Sequence, residues 1–184
     1  MTTAPPVLQG ERTRLRPLRE DDLPLVVRWF NDPGVRHWLH QSDRPDATLE
    51  VAREHFWRPV AEGRALAWMI ETPDGQPVGT LRLLEIDPHH GRAELAISIG
   101  ETEHWDRGLG TDAIQQALAH AFDTLRLRRV CLITDADNAR GIRCYEKAGF
   151  ISEGLLRSHR LRYGQPVDML AMAALKEDWE NASA

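Results

Sequence analysis

The chain has 184 residues, 42% of them hydrophobic and 28% charged, a balance that excludes a disordered or fibrous protein and supplies one ordinary core. Its 23 basic and 28 acidic residues leave a net charge of −5, which argues against a protein devoted to gripping nucleic-acid backbone. The longest apolar run, Met169–Leu175, falls far short of the roughly 20 residues a membrane span needs. Met1–Pro6 lacks the charged and apolar blocks of a signal peptide, and Cys131 and Cys144 are too few for a disulfide scaffold. The expectation is a cytoplasmic protein, no membrane or nucleic-acid partner, and a single domain over 1–184 with an ordered core from about 8 to 177. The first ten residues and the Asn181–Ala184 tail are expected to fray.

Arg12–Leu18 alternates as a strand does. Asp21 or Asp22 can cap a helix with Pro24 in its first turn and Leu25, Val26, Trp29 and Phe30 as its apolar stripe, stopped by Asn31–Gly34. A second helix is predicted from Thr48 to Glu62, with Leu49, Ala52, Phe56 and Val60 inward. The period then changes to two: Ala65–Glu71, a Pro73–Gly75 turn, and Val78–Leu84 form a hairpin. The polar loop Asp87–Gly91 leads to the strand Arg92–Gly100. Ile114, Ala117, Leu118, Ala121, Phe122 and Leu125 mark a helix that opens on a glycine pair. Arg129–Thr134 reads as a buried strand, and Asn138 caps a helix ending at Gly149. Strands Leu155–Tyr163 and Val167–Leu175 flank a turn at Gly164–Gln165. The layout is mixed α/β (α+β), helices flanking one central sheet.

Gly108-Leu-Gly110-Thr111 opens a helix after a strand, so its unpaired N–H groups and the positive end of the helix dipole form a phosphate cradle. A nucleoside-triphosphate loop would need a lysine where Thr111-Asp112 stands. Gly108-x-Gly110-x-x-Ala113 fits a dinucleotide fingerprint literally, with Asp135 as its acid. The polar stretch Glu101–Arg107, the preceding hairpins and the short chain beyond Asp135 oppose that reading.

The third reading is the pyrophosphate arm of coenzyme A. Glu94–Gly100 followed by Trp105–Ala113 resembles the acyl-CoA-binding motif of the GNAT acetyltransferases. Asn138–Phe150 resembles that family's second signature, Asn-x-x-Ala-x-x-x-Tyr-x-Lys-x-Gly-Phe. Trp29–Pro33 and the Trp38 region are similar to the branch containing ribosomal-protein N-terminal acetyltransferases. Two departures stand out: Trp105 occupies the place of the usual Gln or Arg, and Gly141 that of a small Ala or Ser, where a large group such as the cofactor would pack.

The resemblance implies a GNAT fold with a central, mostly antiparallel sheet, and transfer of an acetyl group from acetyl-CoA to a primary amine by direct attack in a ternary complex. The Gly108, Leu109, Gly110 and Thr111 backbone would hold the pyrophosphate, with Arg107 and Arg140 near the phosphates. The Ile97, Ser98 and Ile99 backbone and Asn138 would follow the pantetheine. Tyr145 would protonate the leaving thiolate, whereas read alone it completes a helix stripe with Ile142 and Ala148. Glu94 would take the amine proton, with Glu85 as the alternative base; read alone, either is a surface glutamate on an alternating strand. Phe30, Trp38 and Glu85 are candidates to meet the acceptor, the loop Trp38–Asp43 helping to build its pocket. The acceptor stays open between a protein N-terminus, a polyamine, an aminoglycoside and another small amine, with Glu85 and Arg92-Ala-Glu94 similar to the polyamine branch. A non-catalytic acyl-CoA-binding module is the rival of another class. No metal is expected from His37, His40, His89 and His90, which lack ligand spacing. Cys144 reads as a small buried hydrophobe. No motif encodes the assembly, and a homodimer is one it allows.

Overall fold

In the structure, a computed structural model describing residues 4–39 and 43–182, period-two patterning becomes one eight-stranded sheet. Its strands are β1 (Leu8–Gln9), β2 (Arg14–Pro17), β3 (Leu66–Glu71), β4 (Pro77–Asp87), β5 (Arg92–Ile99), β6 (Arg129–Asp135), β7 (Ile151–Arg162) and β8 (Gln165–Leu175). They lie in the order β1-β2-β3-β4-β5-β6-β8-β7, antiparallel throughout except for β5 and β6. The helices are α1 (Leu23–Asn31), α2 (Pro33–Arg36), α3 (Leu49–Ala52), α4 (Arg58–Ala61), α5 (Leu109–Ala119), α6 (Ala139–Lys147) and α7 (Lys176–Ala182). The layout is mixed α/β as expected, one mostly antiparallel sheet flanked by helices.

Both faces of the sheet are covered, and β3 shows why its six residues are all buried. Leu66, Trp68 and Ile70 join Leu83, Leu95, Ile114, Leu118 and Phe122 under α5. Ala67 and Met69, one residue out of phase, join Val26, Trp29, Phe30 and Phe56 under the N-terminal helices.

The pairing of β5 with β6 decides where the site lies. It runs only from Arg92↔Arg129 to Glu94↔Cys131. Beyond that, β5 keeps β4 as far as Gly79↔Ile99, and β6 keeps β8 as far as Asp135↔Met169. The two halves of the sheet therefore part, and the inner edge of Leu95–Ile99 faces a cleft instead of a strand.

Several expected boundaries shift for physical reasons. Asn31–Gly34 ends α1 but does not end the helical run, because the Asp32 side chain accepts from Gly34 and Val35 and caps α2. Asp22 precedes α1 without capping it, its carboxylate instead taking the Arg19 amide and the Arg16 guanidinium. The helix expected over Thr48–Glu62 is split into α3, a π-helical stretch Arg53–Trp57, and α4, and Leu49 is exposed. Strand β7 starts at Ile151 and turns on Tyr163–Gly164, both at positive φ (52° and 74°), so Arg162 pairs with Gln165. Pro6 accepts from the Trp68 indole, β1 pairs with β2, and α7 sets Trp179 against Phe122. Residues 1–3, 183–184 and His40–Ser42, which the sequence placed in the acceptor loop, lie outside the described residues. Among those described, no helix is long and apolar enough to cross a membrane.

Candidate active site

At the start of α5, Gly108 takes φ 78°, the left-handed conformation that glycine adopts without penalty. Its carbonyl accepts from the Asp112 amide at 3.1 Å, so the amides of Leu109, Gly110 and Thr111 precede the first intrahelical bond and present the positive end of the dipole. Asp112, an acid where a phosphate would approach, is turned away. It accepts from the amides of Glu11, Arg12 and Thr13 and from the Thr13 hydroxyl at 2.6 Å. That nest lays the Arg12 side chain beside Gly108. Sequence spacing carries no sign of this contact, which joins residues about one hundred positions apart.

Trp105, the departure from the family pattern, has a defined job. Its indole donates to the Ile99 carbonyl at 2.8 Å, at the end of the open β5 edge. Its ring carries the Arg140 guanidinium 3.5 Å from the centroid. Burial lowers the Arg140 pKa, with nearby Asp106 opposing and Arg143 adding to the fall. Arg107 lines the same end. Two glycines prove to be packing requirements. A Cβ at Gly110 would stand 3.0 Å from Cys144 Sγ, and one at Gly141 would strike Asn138 Nδ2 at 2.5 Å. The space at Gly141 is thus filled by the cap side chain, not reserved for a large ligand as the sequence suggested. Asn138 caps α6 by accepting from Gly141 at 3.0 Å.

These elements wall one cleft of about 470 Å³. Ile97, Ser98 and Ile99 form its β5 side, Gly108–Thr111 its α5 end, and Asn138, Arg140 and Tyr145 its α6 side. Phe30, Trp38 and Glu94 line the cleft as well, together with Val35, Leu39, Arg82 and Leu84, which the sequence had not singled out. Glu85 is not among these lining residues. It is exposed at φ 47° in a bulge where β4 and β5 lose register, and acts on the cleft only through its charge.

The two candidate proton carriers are perturbed in opposite senses of use. Burial raises Glu94 above the ordinary glutamate range, Glu85 adds to this, and Arg82 opposes it. A base is improved by such a rise. Burial also pushes the Tyr145 phenol well up, with Cys144 adding and a hydrogen bond to Thr134 opposing, so it stays protonated, as an acid must. Cys144 has its thiol pushed up by burial and sits 3.5 Å from the Thr111 hydroxyl, a packed neutral group. His89 and His90 stack edge-on in an exposed turn.

A helix N-terminus, an open strand edge, a carboxylate and a phenol thus share one cleft. Residues 12–151 match the family model "Acetyltransferase (GNAT) domain", and the chain belongs to that family. It is an acetyl-CoA-dependent N-acetyltransferase. The spermidine N(1)-acetyltransferase of Escherichia coli K12 is 30% identical over 167 residues, covering 90% of this chain and 87% of that one. The N-acetyltransferase YoaA of Bacillus subtilis strain 168, itself uncharacterized, is 28% identical over 93% of this chain and 97% of its own. The crystal structure of spermidine N-acetyltransferase from Vibrio cholerae in complex with CoA and spermine matches with a TM-score of 0.82 at 24% identity, covering 92% and 98% of the two chains. That last likeness concerns the fold.

Proposed function

We propose that the chain, acting as one domain, acetylates a small primary amine, and that polyamines such as spermidine are its acceptor class. The observation that carries the reading is that Glu94 and Tyr145 open into the same cleft that ends on the Leu109–Thr111 amides. The 30% identity to a spermidine acetyltransferase supports the acceptor class. A protein N-terminus as acceptor rests on the similarity of Trp29–Pro33 and Trp38 to the ribosomal-protein branch, and no named relative reported above adds to it.

Bound in this cleft, acetyl-CoA supplies an activated thioester. The chain does the rest. The amides of residues 109–111 fix the diphosphate, and the open edge of Ile97–Ile99 aligns the extended arm as a strand partner would. A β5 amide polarises the thioester carbonyl. Glu94 receives the proton of the ammonium, directly or through water, and Tyr145 Oη donates one to the departing sulfur. Holding both reactants in one cleft converts a bimolecular encounter into an internal one.

The test is release of free thiol from acetyl-CoA across a panel containing spermidine, an aminoglycoside and a short peptide with a free N-terminus. Spermidine-dependent release with a mono-acetylated product is expected. Release with the peptide alone would restore the N-terminal reading; coenzyme A binding without release for any amine would make the protein a binding module.

A further inference from the structure

Proline has no N–H, so Pro59 cannot close an α-helical bond to the carbonyl four residues before it, that of His55, and its ring crowds that carbonyl. The π-helical stretch Arg53–Trp57 falls there, between α3 and α4. The His55 carbonyl accepts from Arg82 Nη1 at 3.1 Å. The adjacent Phe56 ring lies under the same guanidinium, 3.8 Å from centroid to Cζ. Two anchors on one helical turn thus immobilise a side chain that is otherwise rich in rotamers.

In the sheet, Arg82 stands opposite Ala96 and Leu84 opposite Glu94, so Arg82 and Glu94 are diagonal neighbours on one face. Both line the cleft. We propose that Arg82 is a positioning residue of the transfer reaction: pinned by the His55 carbonyl and the Phe56 ring, its fixed cation stands diagonally across the sheet face from Glu94 and favours the anionic carboxylate that receives the amine proton. This rests on Glu94 being the base.

The surroundings of Glu94 show why a cation is needed there. Burial and the β4 neighbour Glu85 both favour its neutral form, and Arg82 opposes them. Across the register on β6 stands Cys131, whose thiol burial pushes up and leaves neutral. From the helical layer Phe30 and Phe56 bring no charge, and the His55 carbonyl acts through Arg82. Arg82 itself is pushed down to about 10 by burial, still cationic at neutral pH, with Glu94 as the group that resists the fall.

The experiment is a carbon-13 NMR titration of the Glu94 carboxyl in the full chain, run beside the pH profile of kcat/KM. Arg82→Met should raise the Glu94 midpoint by on the order of one pH unit and carry the acidic limb of the profile with it. Arg82→Lys should return both close to wild type. An unchanged midpoint in folded Arg82→Met overturns the proposal, as does a limb that Arg82→Met still moves in a Glu94→Gln background. Should Arg82→Met not fold, Arg82→Gln carries the test. It keeps a side chain that can donate to the His55 carbonyl and removes the charge, so the midpoint must rise, and no rise overturns the proposal. Failure of the base assignment looks different: Glu94→Gln would keep the wild-type limb while the titration shift in Arg82→Met persisted.

Discussion

The two ends of the cleft are built by different means. At the proposed donor end the working groups are main-chain amides, set by one left-handed glycine and the first turn of α5. At the proposed acceptor end they are side chains, Glu94 and Arg82 from neighbouring strands with Phe30 from α1 and Trp38 from the turn that follows α2. Backbone groups tolerate change in the side chains that carry them, which is why Trp105 can replace the usual polar residue and find other work. Side-chain groups depend on every contact that places them.

The sharpest separation of the two ends comes from Tyr145→Phe. It removes only a hydroxyl, so kcat should fall by on the order of 10²–10⁴ while the acetyl-CoA KM scarcely moves in steady-state kinetics. A KM effect with kcat unchanged would reduce Tyr145 to packing.

Glu94→Gln should follow, at the lower end of that range, on the order of 10² at neutral pH. The active form of Glu94 is the anion, and burial raises its pKa. Wild-type kcat/KM should therefore fall as pH drops through that raised value. The variant should lose this limb and recover partly as alkali neutralises the amine. A profile that merely scales down would remove Glu94 as base.

Gly108→Ala should touch only the donor end. A non-glycine residue at φ 78° costs about 1–2 kcal/mol, and relief of that strain distorts the cradle. Calorimetry should show coenzyme A binding weakened by up to about tenfold, each 1.4 kcal/mol being a factor of ten. Unaltered affinity would detach the glycine from the phosphates.

The smallest effect is thermal. A carboxyl whose folded pKa is raised favours folding below its unfolded value, and that contribution is lost as pH rises through the folded value. Glu94→Gln should thus melt slightly above wild type at neutral pH, and the gain should vanish near about pH 4. A lower melting temperature at both pH values would assign Glu94 a structural role.

The same division explains what could be read from the chain. The cradle was legible because Gly108, Gly110 and Thr111 are neighbours in sequence and their chemistry is backbone chemistry. The strands, the α5 stripe and the Asn138 cap were legible because each is a local pattern of burial or bonding. The acceptor end was not, because Arg82 meets His55 across 27 positions and its meaning depends on strand register. One signal was present and unused: Pro59 inside an otherwise helical stretch announced a broken ladder at His55. Glu85 stood as the alternative to Glu94, and the bulge at φ 47° leaves it exposed, outside the residues that line the cleft. The Asp112 nest likewise needed the fold, since nothing near Asp112 points to Thr13.

The claim that the donor is held by main chain and the acceptor by side chains can be tested on the amides themselves. In nitrogen-15 correlation spectra titrated with coenzyme A, the largest shifts should fall on Leu109, Gly110 and Thr111 and on the open edge Leu95–Ile99, with Arg82 and Leu84 nearly still. Large shifts on β4 with the 109–111 amides unmoved would contradict it.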